Sequence, residues 1–242
     1  MGVRRRELLT TTTFIFAGGA AAHAAVIAGG LPWRPNAGAP PEPVRLGPWL
    51  FFSALEAAAV EALADRIIPP DPVTPGGKDA GCAVFIDRQL AGPYGRQQGL
   101  YTHPPFLKGA PQQGSQYAAG PAQRYRNGLT ALDRHCGTEH GKTFAELAET
   151  QQDEILRGLE NGAVQLPGVD GKEFFGMVVQ DVKQGFFADP IYGGNRNMVG
   201  WQMIGFPGAR YDYRDWVSRH NERFPLPPVS IAGAADWTPK KR

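Results

Sequence analysis

Glu173-Phe174-Phe175-Gly176-Met177-Val178-Val179-Gln180-Asp181-Val182-Lys183-Gln184-Gly185-Phe186-Phe187 places large apolar residues at every fourth position: Phe174, Val178, Val182 and Phe186. Steps of four stack side chains on one face of an α-helix, whereas a half-buried strand alternates in steps of two. Phe175 and Val179 widen the stripe, so the spacing predicts a buried helix from about Glu173 to Phe187.

Upstream the same period recurs. Ser53 and Glu56 have capping-box spacing, and Leu55, Ala59, Leu63, Ile67 and neighbouring Ala62 follow on a helical face. Pro69-Pro70-Asp71-Pro72 ends that helix, because proline lacks a donor and clashes with the preceding turn. A second helix is expected over about Asp79–Leu90, with Val84, Phe85 and Leu90 as core positions. Residues 91–120 carry no sustained period and read as a long surface loop with aromatic anchors. Pro121 opens a helix over roughly 121–136, with Tyr125, Leu129 and Leu132 on one face. Thr143 with Glu146 and Thr150 with Asp153 mark two further starts; Ile155, Leu156 and Leu159 supply the apolar face, and Asn161-Gly162 stops it. Downstream, a short helix over Met198–Ile204 and a last helical piece around Tyr213–Asn221 precede a proline-rich tail.

Few stretches alternate as strands do. The fold class is therefore mainly α: a compact irregular helical domain with long ordered Pro/Gly-rich loops. The 31 glycines and 22 prolines cluster in connections, and loops of such length call for a reason such as packing on a neighbouring subunit.

The N-terminus reads Arg4-Arg5-Arg6-Glu7-Leu8-Leu9, and no further Asp, Glu, Lys or Arg occurs until Arg34. Paired Arg5-Arg6 and the following Leu8-Leu9, ahead of a weakly apolar stretch ending in Ala22-His23-Ala24, have the pattern of a twin-arginine export leader over residues 1–24. The alternative is a retained anchor, since Leu8 to Trp33 is long enough for one span. Residues 25–49 then form an extended arm or linker, and 50–242 the helical domain with its tail. Either reading places the body outside the cytoplasm. Twin-arginine export moves folded cargo, so a partner without a leader can travel bound to this chain.

The chain is formally +2, and Arg4, Arg5 and Arg6 against Glu7 account for that excess, leaving the remainder neutral with no basic tract. Nucleic acid is excluded as a partner on that ground. Cys82 and Cys136 are the only cysteines. In an oxidising compartment their parity suggests one disulfide, whose loop of about 55 residues gives roughly 4 kcal/mol on the chain-entropy model; two buried free thiols are the alternative. No CxxC or CxxCH is present, which excludes c-type haem attachment here.

Candidate chemistry is sparse. His135, Glu139 and His140 lack metal-ligand spacing, and no HExxH, GxGxxG, GxxxxGK or GxSxG occurs. No residue is assigned a catalytic, cofactor-binding or metal-binding role. The distinctive segment is instead Gly185-Phe186-Phe187-Ala188-Asp189-Pro190-Ile191-Tyr192-Gly193-Gly194-Asn195-Arg196-Asn197, continuing as Met198-Val199-Gly200-Trp201 and, after Ile204, Gly205-Phe206-Pro207-Gly208. Asp189, Tyr192, Asn195, Arg196 and Trp201 mix polar, aromatic and donor groups in the way a packed partner interface does. Their rival role is internal fastening of an ordered loop to the helical core.

These segments, the leader, and Ala62-Leu63-Ala64-Asp65-Arg66-Ile67-Ile68-Pro69 together resemble the gluconate 2-dehydrogenase subunit 3 family, from about Leu50 to Phe224. The resemblance implies the noncatalytic small subunit of a membrane-associated sugar or sugar-acid dehydrogenase. A large FAD-dependent subunit would oxidise the substrate, D-gluconate to 2-dehydro-D-gluconate or a related polyol. A multihaem cytochrome c subunit would pass electrons towards ubiquinone. The small subunit would supply the leader read by the twin-arginine export machinery and stabilise the flavoprotein, in the periplasm at the inner membrane. Competing readings are an autonomous periplasmic hydrolase or metal enzyme and an envelope scaffold unrelated to dehydrogenases.

Overall fold

The structure, a computed structural model, describes residues 43–99, 103–107, 109–110, 117–210 and 212–232. Arg5, Arg6, Leu8 and Leu9, expected to belong to the leader, lie outside the described residues. Ser53 accepts from the Glu56 amide at 3.3 Å while the Glu56 carboxylate accepts from the Ser53 amide at 2.8 Å, and this capping box opens α1 (Ala54–Ile67). α2 (Cys82–Ala91) starts three residues later than expected because 77–81 form turns. α3 (Pro121–His140) runs one turn past the expected end. α4 (Glu149–Asn161), α5 (Gly171–Phe187) and α6 (Val199–Ile204) follow. Short 3-10 turns occupy Phe144–Glu146, Pro190–Tyr192, Arg196–Met198 and Arg214–Trp216. No strand occurs among the described residues; the two bridges, Leu166 with Val169 and Gly208 with Val229, are isolated.

α5 is the axis. It packs against α1, α2, α3, α4 and α6, which explains why its apolar stripe is so regular. Phe174, Val178, Val182 and Phe186 are all buried, and full burial of such a side chain contributes roughly 1.5–3 kcal/mol. Asp170 caps the helix by accepting from the Glu173 amide at 3.0 Å. The Phe174 ring fills the space over Gly128 on α3 and meets Tyr125 edge-on, with ring centres 6.2 Å apart.

Two chain segments wrap this core. Ahead of α1, residues 43–52 form a strap whose Leu50, Phe51 and Phe52 amides each donate at 2.9 Å to the buried Asp87 carboxylate of α2. Arg88 pairs with Asp87 and donates to the Pro48 carbonyl at 3.2 Å. At the other end the proline-rich tail returns to the joint between α5 and α6, with the Ala209 amide donating to the Val229 carbonyl at 2.6 Å. No helix among the described residues is long and apolar enough to cross a membrane.

Candidate functional site

The joint between α5 and α6 is built from the carbonyls that a helix end leaves unpaired. The Trp201 indole donates to the Phe187 carbonyl at 2.8 Å. The Asn195 amide group donates to the Ala188 carbonyl at 2.8 Å and accepts from the Gly200 amide at 2.8 Å. One buried side chain thus ties the end of α5 to the start of α6. Glycine is required where the two elements press together. A Cβ on Gly194 would collide with the Gly185 carbonyl, and one on Gly200 with the Phe186 carbonyl and the Phe187 ring.

Asp189 is a second fastening point. Its carboxylate accepts from the Ile191 amide at 3.0 Å, the Ser230 hydroxyl at 2.6 Å and the Ile231 amide at 2.8 Å. The Val44 amide donates to the Ile191 carbonyl at 2.7 Å, so strap and tail meet the joint together. The Arg196 amide donates to the Ala80 carbonyl at 3.0 Å, and its stem lies over Gly81. Arg196 Nε is buried without a hydrogen-bond partner, and no carboxylate pairs with this guanidinium among the described residues. Between Arg196 and α6 the backbone is strained. Asn197 and Met198 have φ of 56° and 57°, a left-handed conformation costing roughly 1–2 kcal/mol for a non-glycine residue and least for Asn.

The five residues singled out in the sequence are therefore gathered into one joint. Asp189, Asn195 and Trp201 have internal hydrogen-bond partners, Arg196 is half-buried, and Tyr192 is exposed. Sequence reasoning missed the apolar side chains beside them. Phe187 is 37% exposed, Met203 52%, Ile204 59% and Phe206 44%. The signal was present in the run Met203-Ile204-Gly205-Phe206, but which side of a six-residue helix faces inward depends on its tertiary anchors. A groove of about 280 Å³ adjoins this face, lined by Trp201, Phe206, Arg223, Phe224, Leu226 and flanking prolines.

Other polar clusters are internally satisfied. Tyr125 donates to Asp181 at 2.8 Å and Tyr94 at 3.4 Å. Burial pushes the Asp181 carboxyl up to about 6, against the opposing pull of those two hydrogen bonds. The adjacent cavity, about 40 Å³, has room for little more than a water molecule. A cleft of about 280 Å³ between the starts of α3 and α5 contains Tyr117, Arg124, Asn127, Asp170 and Glu173. Its groups are paired with one another and with their neighbours. Arg124 stacks 3.9 Å over Tyr117, Asn127 accepts from Gln123 at 2.7 Å, Asp170 caps α5, and the Tyr117 hydroxyl bonds Glu173.

The bridge considered between Cys82 and Cys136 is not formed: both are free and buried. Cys82 opens α2 near Asp65 and Arg196, whereas Cys136 lies on α3 near Asp133. Burial pushes the Cys82 thiol up to about 12 and the Cys136 thiol up to about 11, so neither is a reactive thiolate at neutral pH. No group of three or more His, Cys, Asp or Glu side chains is arranged to hold a metal among the described residues.

Comparison with known proteins gives one result. A family model described as gluconate 2-dehydrogenase subunit 3 matches residues 54–208, from the first residue of α1 to the glycine that closes Gly-Phe-Pro-Gly. No curated protein and no solved structure matches the chain.

Proposed function

Because the chain belongs to the gluconate 2-dehydrogenase subunit 3 family, we propose that it is the noncatalytic small subunit of a three-component FAD and cytochrome c dehydrogenase. It carries the export leader and stabilises the flavoprotein. The observation that carries this reading, beside the family, is the use made of the densest motif. Its polar groups fasten α5, α6, the strap and the tail to one another, leaving an apolar face outward rather than a nucleophile, base or ligand set.

The cofactors belong to the partners in this proposal. A dinucleotide such as FAD is held by a glycine-rich turn between a strand and a helix, and the described chain has no strand. Attached haem c needs two cysteines in CxxCH, and Cys82 and Cys136 are far apart in sequence. Substrate oxidation is thus assigned to the large subunit, with D-gluconate to 2-dehydro-D-gluconate as the reaction the family name suggests. Electron transfer towards ubiquinone is assigned to a multihaem cytochrome c. The complex works in the periplasm at the inner membrane, reached through the twin-arginine machinery by way of residues 1–24.

Co-expression with the flavoprotein subunit tests the carrier role. Deleting residues 1–24 should strand both proteins in the cytoplasm and abolish exported dehydrogenase activity. Normal export of active flavoprotein by the truncated chain would overturn it. A panel of gluconate, glucose, fructose and other polyols on the purified complex identifies the substrate.

A further inference from the structure

We propose that the cleft between the starts of α3 and α5 binds a neutral, ring-shaped polyhydroxy compound of monosaccharide size. The inference stands on the cleft alone and does not depend on the small-subunit reading above.

Two helix starts make the cleft. Gly120 and Pro121 turn the chain into α3, Asp170 caps α5, and the first turns of both helices open onto the same space. Ala118, Val169 and Phe174 give it an apolar lining, to which Tyr117, Arg124, Asn127, Asp170 and Glu173 add donors and acceptors. Its volume of about 280 Å³ lies just below the roughly 300–1,000 Å³ of drug-sized sites, which suits a single ring.

The internal pairing of these groups leaves hydrogen-bonding capacity over. Asn127 accepts from Gln123 through its carbonyl oxygen at 2.7 Å, and its two N–H donors meet no acceptor among the described residues. Asp170 accepts from the Glu173 amide through one oxygen at 3.0 Å, and its second oxygen receives no donor among the described residues. The Tyr117 hydroxyl bonds Glu173 and, pushed up to about 12 chiefly by desolvation, stays protonated and still able to accept.

Charge and stacking decide the class of ligand. Asp170 and Glu173 stand at the start of α5, where carboxylates answer the positive end of the helix, and Arg124 supplies a further positive charge. The cluster is thus balanced within itself. A phosphate or carboxylate would meet two carboxylates, and a cation would find the Tyr117 ring already covered by the Arg124 guanidinium at 3.9 Å. A wholly apolar ligand would strip water from Asn127 and Asp170 and return no hydrogen bond. A polyhydroxy ring turns its C–H face to Val169 and Phe174 and offers hydroxyls, each both donor and acceptor, to Asn127, Asp170 and Tyr117.

The full chain is titrated by calorimetry with D-glucose, D-glucuronate, D-glucosamine and cyclohexanol at about pH 6, where the amine is charged. These six-membered rings differ in charge and in hydroxyl number. D-Glucose should bind saturably at millimolar concentration, and the other three at least about fivefold more weakly. Asn127→Ala should weaken D-glucose about fivefold or more, for the loss of one or two hydrogen bonds. Ala118→Phe, which fills the cleft from an exposed position, should abolish binding. Neither change should lower the unfolding midpoint, because both side chains are exposed; if Ala118→Phe does lower it, Asn127→Ala decides alone. Failure of D-glucose to saturate the parent overturns the site, as does parent-like affinity in a variant that keeps the parent's midpoint. Cyclohexanol or either charged sugar binding as tightly as D-glucose overturns the class of ligand.

Discussion

Asn195 joins two helices through one planar amide, which matches the Ala188 carbonyl just past α5 and the Gly200 amide of α6. Removing it leaves both backbone groups buried and unpaired, and each such loss costs about 1–3 kcal/mol. Asn195→Ala should therefore lower stability by roughly 2–4 kcal/mol, read as a fall in urea midpoint at constant slope. Asn195→Asp should be no milder, because a carboxylate cannot donate to the Ala188 carbonyl and repels it. A midpoint unchanged in Asn195→Ala would show that water replaces the side chain. The capping roles of Asp189 and Asn195 were legible as residue types with a local hydrogen-bonding habit. The outward direction of Met203 and Ile204 was not, because it follows from the Trp201–Phe187 bond across fourteen residues.

α5 shows how an element can carry a polar group through its own core. Asp181 interrupts the apolar stripe and is buried against Tyr125 of α3 and Tyr94 after α2. Its folded value, up to about 6, lies above the 3.8 of a free Asp, so the native state binds this proton more tightly than the unfolded chain does. The stabilising contribution is complete below 3.8 and is lost as pH rises through about 6. Glu56, where burial is outweighed by hydrogen bonds from Arg126 and Ser53, and Asp153, held low by its bond with Arg66, act in the opposite sense and lose stability on acidification. The comparison that isolates Asp181 is Asp181→Asn, which keeps the shape and resembles the protonated acid, accepting from one tyrosine hydroxyl and donating to the other. The variant should match the parent near pH 4 and exceed it above pH 6 by on the order of 2–3 kcal/mol, measured as unfolding midpoints across that range. An equal pH profile in the two proteins would refute the buried-proton account.

At the same scale, periodicity placed α1, α3, α4 and α5, and it erred where tertiary partners intervene. Thr150 does not open α4, because Asp153 is held by Arg66 of α1 at 2.8 Å and Gln151 instead accepts from the Ala148 amide at 3.1 Å. Leu55 faces solvent, because α1 turns Ala57, Val60 and Ala64 inward. The helix expected over 213–221 shortens to the 3-10 turn Arg214–Trp216, whose start Asp212 fixes by accepting from the Arg214 amide at 2.9 Å.

At the scale of the whole molecule, strap, tail and joint form one closed circuit: Val44 bonds Ile191, and Ser230 bonds Asp189 two residues away. The strap leads directly into α1, and its principal anchor is Asp87. Three backbone donors and the Arg88 guanidinium converge on this fully buried carboxylate. Breaking a buried charge pair by removing one partner typically costs about 3–5 kcal/mol, because the other charge and its donors stay desolvated. In Asp87→Ala, however, the strap can lift into water and recover solvent for its amides. The loss should then appear as local opening of residues 43–52, with a smaller fall in the global midpoint, roughly 1–3 kcal/mol. Limited proteolysis distinguishes the two responses. Cleavage within 43–52 should accelerate in Asp87→Ala while α1 to α5 retain their helical circular dichroism. A strap as resistant as the parent's would mean that the Val44–Ile191 bond and packing of Phe52 suffice to hold it, and that Asp87 is a core group rather than a mooring.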